Sequence, residues 1–265
     1  MVGTVATDWH AAARPGARIG AAIEVHEVIG STNDRVRDLL EATPAEGMVV
    51  VAELQSAGRG RRGRSWTSPA GLNLTASVGL RPRVAADAAV GLIPAAALAA
   101  RAACRGEAEV DLKWPNDLVA PDGRKVGGLL VEVASEADRL RHAVLGFGIN
   151  VNWAQDELPA DLRRTATSLG ALSGRSVDRA GLLRRLLEAL EVEIASLEAG
   201  RSPLPRYRGA CRTLGTWVTA ETPGGPVVGW AAGIDDRGVL IIETDTGSVA
   251  VTSGEVVRVR AGAVT

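Results

Sequence analysis

Gly58-Arg59-Gly60-Arg61-Arg62-Gly63-Arg64-Ser65-Trp66 follows closely on Met48 to Ala52, a continuous apolar run of strand length. In form the segment fits G-x-G-x-x-G, and whether it opens a dinucleotide-binding turn decides the fold class. Such a turn needs a helix beginning at its third glycine, so that the helix N-terminus meets a pyrophosphate. Here Arg64 to Gly71 follows, a poor helix start with Pro69 and Gly71 inside a turn. No acidic residue closes a second strand at the usual distance, so a dinucleotide fold is excluded. The arginines crowded between Gly58 and Ser65 set up a strong local positive field. A solvated charge run and a nucleic-acid arm are the alternatives. Against the arm, the chain has no other basic face and no aromatics interleaved on a sheet. The glycines make the loop flexible and let its amides approach a ligand closely. A mobile, cationic, glycine-spaced loop suits closure over a polyphosphate.

Outward from this loop the chain reads as a mixture of strands and helices. Strands are expected at Ile23 to Val28, Met48 to Ala52, Leu72 to Leu80, Glu109 to Trp114, Val126 to Val133 and Ala143 to Val151. Ser31-Thr32-Asn33-Asp34 signals a helix start, with Ser31 as N-cap. Asp87 to Cys104 and Leu182 to Leu197 are further helices, the first bent or started late by Pro94. From Thr213 the character changes to five short β-rich runs separated by turn signals, which predicts a small barrel. The polar, unperiodic residues 1–18 read as a loosely attached arm. The expected organisation is thus an arm over 1–18, a catalytic domain over 19–212 and a barrel over 213–265.

Composition narrows the function. The 265 residues carry a formal net charge of −1, which gives no global attraction to nucleic acid or acidic membranes. No apolar signal core opens the chain, and Ala88 to Ala100 is shorter than the ~20 residues of a membrane span. A cytoplasmic protein without a membrane is expected. Cys104 and Cys211 have no metal spacing, and Cys104 reads as a buried, inert thiol. The chain has only two lysines, Lys113 and Lys125, among 30 basic side chains. A lysine that survives such an arginine bias suits a compact point charge, although chance is the plainer explanation.

Three more segments carry chemistry. Lys113-Trp114-Pro115-Asn116-Asp117 ends a strand at a proline turn, presenting Asn116 and Asp117 to Mg²⁺ or to ribose and phosphate oxygens; an ordinary Asx turn is the alternative. Asp122 to Glu132 delivers Lys125 to the start of a strand with Gly127 and Gly128. Gly146-Phe147-Gly148-Ile149-Asn150 is a strand with small residues on one face.

In this order, the four segments together with Ser31-Thr32-Asn33 resemble the biotin protein ligase family, over Val28 to Val151 by motif and over the β-rich tail by layout. The resemblance implies an α+β fold: a class II synthetase-like biotin/lipoate ligase domain, a mixed sheet with helices, followed by a small SH3-like barrel. It implies that biotin and ATP give biotinyl-5′-adenylate, which a lysine of a carboxylase's biotin carboxyl carrier domain then attacks. Carried onto this sequence, Ser31, Thr32, Asn33 and Gln55 meet the ureido head, and Gly128, Gly146 and Gly148 line the biotin channel. Arg59, Gly60 and Arg61 meet carboxylate and phosphate, with Lys125, Arg61 and Arg59 as the catalytic cations. Arg61, Arg62, Arg64, Trp66, Asn116, Asp117, Lys125 and Asn150 contact ATP, with Trp66 stacked on adenine and Asp117 on Mg²⁺. Ser31 as a plain N-cap and Trp66 as a core tryptophan are the structural alternatives. Asp117 is also a candidate to deprotonate the acceptor lysine. The short stretch before the core leaves no room for a helix-turn-helix, so no DNA binding and a monomer or weak homodimer are expected. Lipoate ligation or octanoyl transfer on the same fold is the nearest rival. The loop together with the β-rich tail favours biotin.

Overall fold

The computed structural model describes residues 7–136, 139–252 and 254–258. Chain order runs β1 (Ile23–Ile29), α1 (Thr32–Ala42), β2 (Val49–Gln55), β3 (Leu74–Leu80), α2 (Leu92–Cys104), β4 (Asp111–Lys113), β5 (Asp117–Val119), β6 (Lys125–Glu136) and β7 (Arg139–Ile149). Then come α3 (Leu169–Ser173), α4 (Arg179–Glu198), α5 (Leu204–Ala210), β8 (Trp217–Thr222), β9 (Gly225–Ile234), β10 (Leu240–Thr244), β11 (Gly247–Val251) and β12 (Glu255–Arg258).

The first seven strands form one sheet in the order β1-β2-β3-β7-β6-β5-β4. β1 and β2 run parallel and the other neighbours antiparallel, so the sheet is mixed, as expected. Alternation along a strand sorts its two faces. Val49 and Val51, Ala76 and Val78, and Leu145, Phe147 and Ile149 enter the main core with α2 and α4. Val50 and Val144 point the other way, under Val36 and Leu40 of α1. Helix α1 starts where Ser31 accepts the Asp34 N–H, as its sequence predicts.

The apolar stretch around Pro94 is core helix. Its six residues Ala86–Gly91 form a 3-10 turn and α2 begins at Leu92, with Pro94 in its first turn, where a missing N–H costs nothing. Ala86–Cys104 is long and apolar enough to cross a membrane by length and composition, but most of α2 is buried against α4 and the sheet.

The second sheet is antiparallel, in the order β11-β10-β9-β8-β12. A register shift at Ile241/Ile242 bends the β9–β10 pair.

The reading of residues 1–18 as a loose arm is corrected over its described part. Trp9 is only 2% exposed, and its indole donates to Glu53 Oε1 at 2.7 Å. Arg179 of α4 lies 4.9 Å over the Trp9 ring and also binds Glu53. Arg14 pairs with Glu191 at 2.6 Å, and Arg18 with Glu46 and Glu198. One buried aromatic and long-range ion pairs tie this segment down, and neither leaves a local periodicity to read.

Candidate active site

A cavity of about 600 Å³ opens on the α1 face of the large sheet. Alternation leaves Gly146 and Gly148 of β7 on that face, Gly146 beneath Asn33 at the start of α1, and the arginine loop and the second sheet line further sides.

At the α1 end the walls are polar. Gln55 Oε1 accepts the Thr32 N–H at 2.7 Å, which leaves the Gln55 amide nitrogen unpaired among the described residues. Ser77, fully buried on β3, stands 2.7 Å from Thr32 Oγ1 and 2.6 Å from Asn33 Oδ1. Its hydroxyl has one proton, and the amide oxygen can only accept, so Ser77 donates to Asn33. The Thr32 hydroxyl is then free to donate to Ser77 or to Gln55 Oε1, 3.0 Å away. On its other side Asn33 donates to Glu132 Oε2 at 2.7 Å. Ser77 and Glu132 therefore fix the orientation of the Asn33 amide, and sequence reasoning missed both. Their signal was the inward position each holds on its strand, opposite the helix start at Ser31.

The arginine loop is a closed hairpin. Gly60 N–H donates to Arg64 at 2.7 Å and Trp66 N–H to Gly58 at 2.9 Å. Its cations Arg59, Arg61 and Arg62 are engaged by protein acceptors. Arg59 makes a two-pronged bond to Asp34 at 2.5 and 2.7 Å, and holds that carboxyl down at about 2. Arg61 donates to Asn116 Oδ1 at 3.3 Å, and burial pulls its pKa below the ordinary arginine value. Arg62, left-handed at φ 58°, reaches the Glu221 carbonyl at 2.8 Å and so ties the loop to the second sheet. Arg64 and Gly60 also line the cavity.

Lys125, the first residue of β6, puts Nζ 2.7 Å from Asp117 Oδ1 and 5.7 Å from the centre of the Trp66 ring. Gly128, Gly146 and Gly148 line the cavity and seat these side chains. A Cβ on Gly148 would stand 2.5 Å from the Trp66 ring, and one on Gly146 would strike Asn33. At Gly128 it would crowd Lys125 and Asp117.

The proline turn is braced from the C-terminal half. Trp114 and Pro115 are joined by a cis peptide. Tyr207 of α5 donates to the Pro115 carbonyl at 3.0 Å, Trp114 N–H to Thr213 at 2.9 Å, and the Trp114 indole to Gly238 at 3.0 Å. Asn116 in turn donates to Leu129 at 2.6 Å. Thr216, Val218, Gly254 and Val256 complete the wall.

Every expected site residue lines this cavity except Asn150. Asn150 is buried just past the end of β7 and donates to the Thr167 carbonyl at 3.0 Å. Asp117 is engaged as the counter-ion of Lys125. Cys104 is buried and its thiol is pushed up to about 12, leaving it inert, as its surroundings suggested.

The model of the biotin/lipoate A/B protein ligase family matches residues 25–150, and that of the biotin protein ligase C-terminal domain matches 213–259. The chain is 38% identical to a biotin–[acetyl-CoA-carboxylase] ligase of Mycobacterium tuberculosis, covering 90% of this chain and 89% of that protein. It is 36% identical to the bifunctional ligase/repressor BirA of Bacillus spizizenii, over 90% of this chain and 74% of the relative. Among solved structures, a biotin protein ligase from Aquifex aeolicus in complex with biotin and ATP superposes with a TM-score of 0.74 at 28% identity, covering 91% of this chain and 99% of that one. With both of its domains matched by family models and its sequence 38% identical to such a ligase over 90% of this chain and 89% of that protein, the chain belongs to the biotin protein ligase family.

Proposed function

We propose that this cavity makes biotinyl-5′-adenylate from biotin and ATP and passes the biotin to a lysine of a carboxylase's biotin carboxyl carrier domain. One observation carries the assignment of roles: a single cavity joins the polar relay around Asn33 and Gln55 to Lys125 and the arginine loop. A buried urea needs partners on all its edges. The free Gln55 amide donors, the Thr32 hydroxyl and the oriented Asn33 amide supply them, with Ser31 beside them at the helix start.

The biotin carboxylate would lie against Arg59, Arg61 and Lys125, and adenine against Trp66, with Arg62, Arg64, Asn116 and Asp117 around the ribose and phosphates. Attack of the carboxylate on the α-phosphorus expels pyrophosphate and builds negative charge on the phosphoryl oxygens. Fixed cations stabilise that charge without reorganising. Lys125 is poised for this, since Asp117 and the Trp66 face hold its ammonium in place. Closing the loop over the product keeps water from a hydrolysable anhydride.

Magnesium fits this site only as an ion carried by ATP. Among the described residues no group of three metal-ligating side chains exists, and Asp117 is the cavity carboxylate beside Lys125. Mg²⁺ is commonly held by one or two carboxylates together with substrate phosphates. Asp117 and Asn116 would hold such an ion, which would neutralise phosphate charge. Transfer to protein with no DNA binding, as a monomer or weak homodimer, belongs to the same proposal.

Exchange of labelled pyrophosphate into ATP tests the first half-reaction. Exchange that requires biotin supports it; exchange indifferent to biotin, or none, contradicts it.

A further inference from the structure

Arg164 lines the cavity from a turn that no sequence motif marked. The residues that follow it in the chain are bonded to the backbone of Lys125. Strand β7 ends at Ile149, and past that point residues 165–167 take its place beside β6. Lys125 N–H donates to the Thr165 carbonyl at 2.7 Å, and Thr167 N–H to the Lys125 carbonyl at 2.9 Å. Arg164 is thus one residue from a backbone clamp on Lys125 itself, and it is exposed at the cavity rim.

Its electrostatic situation differs from that of its neighbours. Arg59, Arg61, Arg62, Arg124, Lys125 and Arg212 are each bound to a protein acceptor, and Arg64 and Lys113 are engaged as well. Among the described residues Arg164 is the one cation of the cavity wall with no hydrogen bond or ion pair. A ligand that recruits any other wall cation must compete with an existing partner. Recruiting Arg164 breaks nothing.

We infer that Arg164 binds the β- and γ-phosphates of ATP and holds the pyrophosphate as it leaves. These groups carry most of the charge of ATP and must depart through the open side of the cavity. A cation that is exposed, uncompensated and clamped beside Lys125 suits them. Asn33 and Gln55, by contrast, suit a neutral urea. In the adenylation step the carboxylate oxygen forms the new bond to the α-phosphorus, and the bond to the bridging oxygen breaks with its electron pair on pyrophosphate. Arg164 stabilises that departing charge and takes no proton. This inference rests on the adenylation reading above.

The experiment compares wild type, Arg164→Ala and Arg164→Lys in two assays. The first is biotin-dependent ATP–pyrophosphate exchange, read as the KM for ATP and for inorganic pyrophosphate. The second is single-turnover transfer from preformed biotinyl-5′-adenylate to a carrier domain, which involves no pyrophosphate. The inference expects both KM values to rise roughly tenfold in Arg164→Ala, the loss of one charge-assisted contact. It also expects partial recovery in Arg164→Lys, an unchanged KM for biotin and a wild-type transfer rate. Unchanged KM values for ATP and pyrophosphate would overturn it. So would an equal defect in transfer, which would make the turn a structural brace for Lys125. Wild-type protein without exchange would overturn the adenylation reading itself, a result separate from either.

Discussion

Lys125 and Asp117 form a 2.7 Å ion pair where β6 passes β5, and the face of Trp66 lies 5.7 Å from the same ammonium. A compact cation is thereby aimed into the cavity from a strand, a more rigid mount than a loop. Lys125→Arg should keep the fold, with a melting temperature within a few degrees of wild type. It should lose adenylate formation by roughly 10²–10³, because a planar guanidinium cannot fill the same point. Pyrophosphate release from biotin and ATP measures this. Near-normal turnover would remove Lys125 from the chemistry.

Gly148 is the seat of Trp66. A methyl group there would overlap the ring, so Gly148→Ala should push the indole away from Lys125. The expected result is a KM for ATP raised by up to about 10²-fold, with biotin binding much less affected. Titration with a non-hydrolysable ATP analogue, followed by tryptophan fluorescence, checks it. Equal losses for both ligands would mean a general collapse of the cavity.

Ser77 orients the Asn33 amide from the buried side. Ser77→Ala leaves Asn33 Oδ1 without its 2.6 Å donor. Weaker biotin binding by roughly tenfold follows, the scale of one unmade buried hydrogen bond. The rate at saturating biotin should stay near wild type. Isothermal titration gives the first number and steady-state kinetics the second. A normal affinity would show that Asn33 holds its orientation without Ser77.

Asp34 gives the Arg59 contact a pH dependence of known sign. Its carboxyl is held at about 2 against an ordinary 3.8, chiefly by Arg59 and then by Arg37. A depressed folded value contributes stability that is complete above 3.8 and lost as pH falls through about 2. The carboxylate is 41% exposed, so screening keeps that contribution modest. Asp34→Asn should be less stable than wild type near neutral pH, and the gap should close as pH falls below 3.8. Urea denaturation across this range reads the gap. A gap that persists in acid would assign the loss to something other than the ion pair.

Much of the site was legible because its residues announce themselves locally. The helix start at Ser31, the glycine–arginine loop and the proline turn are short-range signals, and each ends up on the same cavity. The two lysines that survive the arginine bias, Lys113 and Lys125, also line it together. What escaped is long-range. Trp9 looks like an isolated aromatic until Glu53 and Arg179 meet it. Ser77 is one small residue in an apolar strand, and only the register of β3 against β7 puts it beneath Asn33. Asn150 ends a motif strand, yet it stands outside the cavity lining with its amide donated to Thr167. Arg164 sits in a turn with no pattern, brought to the site by the bonds of Thr165 and Thr167 to Lys125.

The central claim is that one cavity activates biotin with ATP and delivers it to protein. Its most direct measurement is transfer of labelled biotin to the lysine of a carboxylase carrier domain, with and without ATP and with Lys125→Arg alongside. The account predicts label on that lysine only when ATP is present, and little label with the variant. Label that appears without ATP, or none with wild type and ATP, would contradict it.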